Sequence, residues 1–452
     1  MDWWRRPLGA LVSGQRVIVA GGPAAAWTSL VAALRDLGAT DVLVVATQGL
    51  GAGPQPEAII EVVDVPGDDA DEMVRIRAAL DVLAALPTAA VEAIEAFDPD
   101  RTAVVFGVFL TETPELVGRP LVAHRRPEWV ALEDKTIVDE LLDRAGVMRA
   151  ASAVIPVGEA AQVWRALDHG AGTVWAADSR DGYHGGAIRT RWVIDDGAAA
   201  DATADLAPWC DAVRVMPFLE GIATSVHGIV LPDGVVALRP VELVTLRREH
   251  ELRYSGCATF WDPPAAVRDE MSDAARRVGA LLRDEFDFRG AFTVDGVATA
   301  DGFRPTELNP RFGAGLGVIT SGLDGLPLHL VLDLVVSGRE LDISATELEA
   351  LLLAAADANR SGGTWQLHVD TPVEVSGRPA RYEDGTWRWA GPDERRDGVV
   401  VAKDGYARIS FEAANTPVGP SVGTRSVAFW RFADTELGTA IGALMAPVDV
   451  TQ

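Results

Sequence analysis

The sequence predicts a multidomain protein of mixed α/β and α+β class, with a parallel sheet near its N-terminus and a β-rich domain near its C-terminus. Three observations lead to this prediction. The chain has 452 residues, a length at which roughly two to four domains are expected. A strand–helix–strand pattern occupies residues 16–46, and short strands separated by turns follow Gly362. Because strands joined through a helix usually run parallel in one sheet, the first pattern predicts the parallel sheet.

The N-terminal elements follow from hydrophobic runs and turn residues. Residues 16–20 (RVIVA) and 42–46 predict buried strands, and the helix between them ends at Gly38. A helix at 72–86 and a strand at 103–106 continue the alternation. The turn after the first strand has two glycines but no full G-x-G-x-x-G pattern, which favours a structural domain over a dinucleotide site. We predict a first domain over residues 1–125.

The middle region alternates helices and strands and contains a glycine-rich loop. Helices are predicted over 133–145, 268–286 and 326–336, a strand pair over 213–219 and 224–231, and a hairpin over 290–309. The glycine-rich loop lies within residues 181–186. We predict a second domain over residues 126–342, with a subdomain at about 148–215 that carries this loop.

The C-terminal region begins with a helix and continues with short strands. Ser344 and Glu347 form the S-x-x-E pattern of a capping box, which predicts the start of a helix. The strand-like segments that follow Gly362 are TWQLHV, PVEV, TWRWA, GVVVA and ARISFE. We therefore predict a third domain over residues 343–452, made of one helix and a β-rich part.

Composition excludes several classes of protein. The chain carries 40 basic and 66 acidic residues, a net charge of −26, which argues against binding to nucleic acid or to anionic membranes. Two cysteines, Cys210 and Cys257, cannot build a disulfide framework. The sequence has neither an apolar run of membrane-spanning length nor a secretory signal at its start, so we predict a cytoplasmic protein. Lysine occurs only at Lys135 and Lys403.

The predicted hairpin contains an unusual pair of acidic residues. Residues 300–302 are a turn signal, and a three-residue loop centred on Asp301 places Asp295 directly opposite Glu307, about 4.5–5.5 Å apart at Cβ. Like charges in such a pair repel, and a divalent cation between them removes the conflict. A two-residue loop at 301–302 would instead put Leu308 opposite Asp295, unless a β-bulge intervenes. An acidic, solvated strand face is the alternative to a metal site.

The same strand face offers further polar groups. Glu307, Asn309 and Arg311 share one side of the strand because side chains alternate with a period of two. Mg²⁺ typically binds one or two carboxylates and completes its octahedron with phosphate oxygens and water. An arginine beside such a cation can hold a phosphate or stabilise an oxyanion. The face thus predicts a site for Mg²⁺ and a phosphate.

Three segments, in this order along the chain, resemble the motifs of ATP-grasp enzymes. The segment 132–135 (LEDK), followed by Ala145-Gly-Val147, resembles the family's D-K…A-G-V element. The segment 215–221 (VMPFLEG) resembles its hinge strand, and Glu307-Leu-Asn-Pro-Arg311 resembles its E-[IL]-N-x-R signature. The three segments lie between about 125 and 335, roughly half of the chain, and predict the ATP-grasp fold for the middle domain.

The resemblance implies roles for individual residues. Asp295, Glu307 and Asn309 would hold Mg²⁺, and Arg311 would contact the γ-phosphate or an acyl-phosphate. Lys135 would bind ATP phosphates, so the two residues implied in catalysis are Arg311 and Lys135. In the hinge, a Met216 carbonyl and the N–H of Phe218 or Leu219 would contact adenine, because Pro217 has no N–H. The ribose candidate is Glu220, for which a solvated turn residue is the alternative.

The glycine-rich loop would cover the ATP phosphates with backbone N–H groups. Its candidate residues are Gly182, His184, Gly185 and Gly186. The family usually has a second lysine on the strand before this loop, but residues 173–180 contain none. Either nucleotide binding is altered, or Arg180, Arg189 or Arg191 supplies the charge, and arginine is no neutral replacement for lysine.

Enzymes similar to this chain transfer the γ-phosphoryl group of ATP to a carboxylate, and an amine then attacks the acyl-phosphate. The resemblance implies an ATP-dependent carboxylate–amine ligase with ATP and Mg²⁺ as cofactors and with small-molecule substrates, an amino acid or a peptide among them. Relatives are often dimers, which leaves a homodimer open. In architecture and arginine-rich composition the chain resembles pheganomycin-type peptide ligases of secondary metabolism. A biotin-dependent carboxylase, a purine-pathway ligase and a nucleotide-binding regulatory module without ligase activity are the alternatives.

Overall fold

The computed structural model describes residues 3–51, 53–66, 72–180, 182, 189–249, 251–323 and 325–451, without the side chains of residues 72 and 73. Every element below lies in these ranges. The architecture is mixed α/β and α+β, with one parallel sheet and several antiparallel sheets, which confirms the predicted fold class. Among the described residues, no helix is long and apolar enough to cross a membrane.

The N-terminal part is a parallel sheet with helices on both faces, in the strand order β3-β2-β1-β4. Its elements are α1 (Arg5–Val12), β1 (Arg16–Ala20), α2 (Thr28–Asp36), β2 (Asp41–Ala46), β3 (Ile59–Val62), α3 (Glu72–Ala84), α4 (Thr88–Phe97) and β4 (Val104–Gly107). Almost every residue of β1 and β2 is buried, as expected for parallel strands covered on both faces. The predicted strand–helix–strand unit is thus confirmed, while α1 was missed.

A small hairpin and an antiparallel sheet follow. The hairpin is β5 (Glu115–Leu116) with β6 (Arg119–Pro120), and the sheet has the order β7-β10-β8-β9. The other elements are α5 (Pro127–Val130), α6 (Val138–Arg144), β7 (Ala153–Pro156), α7 (Ala160–Val163), β8 (Thr173–Ala177), β9 (Thr190–Val193), α8 (Asp196–Leu206) and β10 (Ala212–Pro217). One face of the sheet packs against α7 and α8 around Trp164 and Trp175.

A larger antiparallel sheet contains the predicted hairpin, in the order β14-β13-β11-β15-β16, with β12 paired to β11. Its elements are β11 (Ile222–Leu231), β12 (Gly234–Ala237), β13 (Val241–Arg248), β14 (Glu251–Ala258), α9 (Ala265–Phe286), β15 (Gly290–Thr299) and β16 (Gly302–Asn309). The core on one face contains apolar residues of α6 and α9. The core on the other face contains residues of α10 (Gly315–Ile319), α11 (Leu328–Val336) and α12 (Ala345–Ala358).

The predicted pairing of residues 213–219 with 224–231 is wrong. β10 pairs with β7 and β8, whereas β11 pairs with β12, β13 and β15 in the other sheet. The chain passes between the sheets at Gly221, whose φ is +146° and where a Cβ would lie 2.1 Å from the carbonyl oxygen of Ala298. Only glycine tolerates both conditions, so this turn joins two sheets instead of closing a hairpin.

The C-terminal part confirms the predicted helix-plus-β composition. Ser344 and Glu347 form the reciprocal hydrogen bonds of the capping box at the start of α12. The sheet that follows has the order β17-β21-β20-β18-β19. Its strands are β17 (Gly363–Leu367), β18 (Val375–Glu383), β19 (Thr386–Trp389), β20 (Gly398–Lys403) and β21 (Tyr406–Phe411), and α13 (Gly423–Glu436), which was not predicted, packs with them in one core. The domain boundaries near residues 125 and 342 stay a prediction.

Candidate active site

The acidic pair of the hairpin is present, although the loop differs from the predicted one. Asp295 pairs with Glu307 across β15 and β16. The loop contains two residues, 300 and 301, with Thr299 opposite Gly302. That register alone would place Thr306 opposite Asp295. A β-bulge between residues 295 and 296 adds Thr306 to the second strand and restores the pair. The three-residue loop was therefore wrong, and the facing carboxylates were right.

Asp295 sits where a negative charge is unfavourable. Its side chain is half-buried between its β11 partner Ser225 and the neighbouring strand. Burial, and then the nearby charge of Glu307, raise the pKa of the Asp295 carboxyl above its usual range. Hydrogen bonds from Ser225 and Thr293 oppose this rise in the pKa. The pair is thus a place where a cation would be bound favourably.

Lys135 lies against this acidic pair. Its Nζ is 3.4 Å from Oε1 of Glu307, and its side chain is only 5% exposed. The predicted helix over 133–145 begins later than expected, at Val138, because the Asp134 carboxylate accepts hydrogen bonds from the N–H and Oγ1 of Thr136. This turn competes with helix formation and sets Lys135 in an irregular segment that faces the hairpin. Gly146 follows the helix with φ +67°, as predicted for its end.

A chain of polar contacts continues from Asp295 to a second group of charges. Asn309 Nδ2 donates to Asp295 Oδ2 at 3.0 Å, and Arg311 Nη2 donates to Asn309 Oδ1 at 3.0 Å. Arg311 Nε donates to Oε1 of Glu133 at 2.9 Å, and Arg125 Nη2 donates to the same oxygen at 2.6 Å. Glu133 is 5% exposed, so it orients both guanidinium groups within the protein.

The donor set fits Mg²⁺ through its two carboxylates. A half-buried pair of like charges, one with a raised pKa, is stabilised by a divalent cation, and Mg²⁺ needs only one or two protein carboxylates when phosphate and water supply the rest. The amide oxygen of Asn309 points to Arg311 and its nitrogen to Asp295. Across the described ranges, no group of three or more His, Cys, Asp or Glu side chains is arranged to hold a metal ion.

One predicted contact of the hinge residues is already occupied. The N–H of Phe218 donates to the carbonyl oxygen of Gly172 at 2.9 Å, so Leu219 is the better candidate for an N–H that contacts adenine. The Phe218 ring stacks on Trp192 with centroids 4.3 Å apart. Glu220 accepts two hydrogen bonds from Arg247, at 2.7 and 3.0 Å. Its role at a ribose stays a prediction, as does that of Met216, which is buried.

The glycine-rich loop is described only in part. His184, Gly185 and Gly186 lie outside the described residues, and Gly182 has a positive φ of +70°. Arg180 donates to Asp211 and to the carbonyl oxygens of residues 207, 208 and 210. Arg191 contacts Asp205 on α8, and Arg189 contacts Ser179. All three arginines thus already bind protein groups, at the ends of strands or on α8. That one of them binds a phosphate stays a prediction.

Sequence reasoning missed Arg214, a cation on the hinge strand β10. Its side chain is 0% exposed, and it pairs with Ala176 of β8. Its Nε lies 2.8 Å from Asp139 Oδ1, and its Nη1 donates to the sulfur of Met216 at 3.1 Å and to the Thr306 carbonyl at 3.2 Å. Arg214 thus lies beside the strand that carries Glu307. The sequence feature that could have identified Arg214 is a single charge in the otherwise apolar segment AVRVMP, because a buried charge needs partners.

Comparisons with known proteins agree with this architecture. No family model and no curated protein matches the sequence. The chain is similar in structure to a biotin carboxylase from Campylobacter jejuni, with a TM-score of 0.57, 13% identity, and coverage of 96% of this chain and 93% of the other. It is similar to an N5-carboxyaminoimidazole synthase from Aspergillus clavatus, with a TM-score of 0.51, 15% identity, and coverage of 91% and 95%. An L-amino acid ligase from Bacillus licheniformis gives a TM-score of 0.50, 13% identity, and coverage of 96% and 99%.

These likenesses extend over nearly the whole chain, and at 13–15% identity they establish the fold. The protein has the ATP-grasp fold, which confirms the prediction made from its three motif-like segments.

Proposed function

We propose that the protein is an ATP-dependent ligase that activates a small-molecule carboxylate as an acyl-phosphate and joins it to an amine. The observation that carries the proposal is the pair Asp295–Glu307 with Lys135 at 3.4 Å from Glu307, inside a protein with the ATP-grasp fold. Two carboxylates, a buried ammonium and a guanidinium beside them can hold a nucleotide triphosphate next to a second anion. The L-amino acid ligase similar to this chain is one whose name fits such a reaction.

Each residue of the network has a role in this proposal. Asp295 and Glu307 would hold Mg²⁺, which when bound would neutralise part of the charge of the phosphates. Asn309 would keep Asp295 in place, and it could ligate the cation only after its oxygen leaves Arg311. Lys135 would lie against the phosphates. Arg311 would bind the transferred phosphoryl group or the carboxylate, with its guanidinium oriented by Glu133 and Asn309.

The nucleotide would lie between the hinge and the hairpin. We propose that the Leu219 N–H contacts adenine and that the Glu220 carboxylate contacts the ribose. Arg214 is next to the strand where the family's second lysine usually occurs and reaches the bulge at Thr306. It would supply a positive charge in place of that lysine once it leaves Asp139. The glycine-rich loop, with Gly182, His184, Gly185 and Gly186, would cover the phosphates.

Finer features of the proposal rest on composition and architecture. The arginine-rich sequence and the three-part arrangement favour a stand-alone enzyme that forms peptide or amide bonds in secondary metabolism. Both cysteines are buried free thiols, which supports the cytoplasmic location proposed above.

The test measures ADP release and product mass together, with the full chain, ATP, Mg²⁺ and pools of carboxylates and amines. A ligase releases ADP only when both a carboxylate and an amine are present, and the product mass equals their sum minus water. ADP release with bicarbonate and biotin alone would assign a carboxylase. Nucleotide binding without turnover in every mixture would refute a ligase and support a regulatory module.

A variant makes the assay specific for the acidic pair. Glu307→Gln should lower ADP release by on the order of 10²–10³-fold, since it removes one proposed metal ligand with little change in shape. The matched control is Glu92→Gln, a change of the same kind at an exposed position on α4. Equal activity of the two variants, both folded by circular dichroism, would remove the metal assignment.

A further inference from the structure

A pocket with a cavity volume of about 50 Å³ opens beside Arg311. Several parts of the chain meet there, among them the segment after β4, residues 288–291 at the start of β15, the residues that follow β16, and helix α11. Three arginines line it: Arg289, and the two that share Glu133, Arg125 and Arg311. The pocket is therefore continuous with the candidate active site.

Aromatic rings form one wall of this pocket. Phe109 and Phe312 have ring centroids 5.3 Å apart, and each lies 6.3 Å from the ring of His329 on α11. Phe109 is 40% exposed although it is a large apolar side chain. An exposed phenylalanine beside two further rings offers a surface for an apolar group of a ligand.

A buried acidic side chain lies in the same pocket, and among the described residues no Lys or Arg forms an ion pair with it. Asp333 on α11 is only 9% exposed, and its Oδ2 has no hydrogen-bond partner among the described residues. His329 Nε2 is 3.6 Å from this oxygen, but it is in hydrogen-bond contact with the carbonyl oxygen of Gly107 at 3.0 Å. Because that carbonyl can only accept, Nε2 carries the proton and donates it there.

The histidine does not supply the missing positive charge. Burial lowers the pKa of His329 to about 4, so its ring is neutral near pH 7. Burial also raises the pKa of Asp333 well above its usual range. Oδ2 loses its hydration and gains no hydrogen bond from the described residues in return, which is unfavourable unless a ligand donates to it. An ammonium group would provide both a donor and the opposite charge.

We propose, on the basis of the function proposed above, that this pocket binds the carboxylate substrate and that this substrate is an amino acid with an apolar side chain. Its carboxylate would point to Arg311, its ammonium to Asp333, and its side chain to the rings of Phe109, Phe312 and His329. Three chemically different walls thus match the three groups of one substrate. Asp333 is here a specificity-determining residue that contacts the substrate away from the reacting carboxylate.

The test compares two ligands that differ only in the ammonium group, L-phenylalanine and 3-phenylpropanoate. Their affinities for the full chain are measured by isothermal titration calorimetry, so the result does not depend on turnover. The wild-type protein should bind phenylalanine roughly 10- to 100-fold more tightly, the usual effect of one charged hydrogen bond in a buried site. Asp333→Asn should reduce this ratio to near one. Equal affinities in the wild type, no binding of either ligand, or a preference that Asp333→Asn retains would overturn the proposal.

A second variant keeps the proposal testable if Asp333→Asn does not fold. Phe109→Ala changes a 40% exposed side chain and should weaken the binding of both ligands alike while their ratio is preserved. An unchanged affinity for both would exclude the aromatic wall. Binding without ADP release in the presence of any amine would refute the ligase and leave the pocket assigned. ADP release that needs a polar carboxylate, with no binding of phenylalanine, would refute the pocket and leave the ligase.

Discussion

Asp295→Asn should stabilise the metal-free protein and at the same time remove its response to Mg²⁺. Asp295 and Glu307 are a directly opposed pair, so their Cβ atoms lie roughly 5 Å apart, and we take this as the separation of their charges. Two unit charges at about 5 Å with an effective dielectric constant of about 20 repel by about 3 kcal/mol. Lys135, 3.4 Å from Glu307, offsets part of this repulsion. We therefore expect a gain on the order of 1–2 kcal/mol for the variant.

The gain should depend on pH in a defined direction. The pKa of Asp295 is raised in the folded protein, so the protonated carboxyl stabilises the fold, and this contribution is complete below the unfolded pKa of about 3.9. The contribution is lost as the pH rises through the raised pKa, because the unfolded state loses this proton at a lower pH than the folded state does. The asparagine side chain does not titrate. The difference between variant and wild type should consequently be larger at pH 8 than at about pH 4.

The assay is the midpoint of thermal unfolding, measured with and without Mg²⁺ at both pH values. Mg²⁺ should raise the midpoint of the wild type at pH 8 and leave that of Asp295→Asn unchanged, since ligands stabilise only the state that binds them. The control is Asp301→Asn, which removes the same charge from the exposed turn of the same hairpin. If the metal-free Asp295→Asn variant is less stable than the wild type at pH 8, the reasoning about charge repulsion fails.

Two further predictions concern the lone buried lysine and a buried carboxyl far from the hairpin turn. Lys135→Ala should raise the KM for ATP roughly 10- to 100-fold. Lys403→Ala, which changes the only other lysine, a half-exposed one, should leave the KM unchanged. Equal steady-state ATP dependence of both variants would show that Lys135 is incidental. Burial raises the pKa of Glu242 to about 7, and this carboxyl accepts hydrogen bonds from Ser421 Oγ and Val422 N. Its stabilising contribution is complete below about pH 4.5 and is lost as the pH rises through about 7, so Glu242→Gln should gain thermal stability relative to the wild type between these values; a difference that does not vary with pH would contradict this.

The hairpin shows what a single sequence can and cannot predict. The alternation of side chains and the turn residues were sufficient to predict that Asp295 faces Glu307. The loop length was wrong, and the pair is preserved only because Thr306 forms a bulge. Its Oγ1 donates to the Asp295 carbonyl at 3.3 Å. Threonine is an ordinary strand residue, so its identity gives no sign that an extra residue enters the strand there.

Two other differences have different origins, one local and one long-range. The helix predicted from Glu133 begins at Val138 because the Asp134 side chain binds the backbone of Thr136. The strand pair around Gly221 separates into two sheets because the backbone at that glycine approaches Ala298 of a distant strand. The late start of the helix could be read from an Asp-x-Thr turn pattern. The separation of the strand pair depends on residues more than 70 positions apart, which the local pattern does not contain.

The charged side chains around the hairpin explain why nucleotide binding should depend on Mg²⁺. The cations around the hairpin already have carboxylate partners: Arg125 and Arg311 pair with Glu133, Lys135 with Glu307, and Arg214 with Asp139. Little free positive charge is left there, in a protein whose net charge is −26. A nucleotide triphosphate alone would bring an excess of negative charge into this setting, and Asp295 and Glu307 would repel it. A divalent cation between those carboxylates reverses the local sign, so nucleotide affinity should depend on Mg²⁺ more steeply than Lys135, Arg214 and Arg311 alone would require.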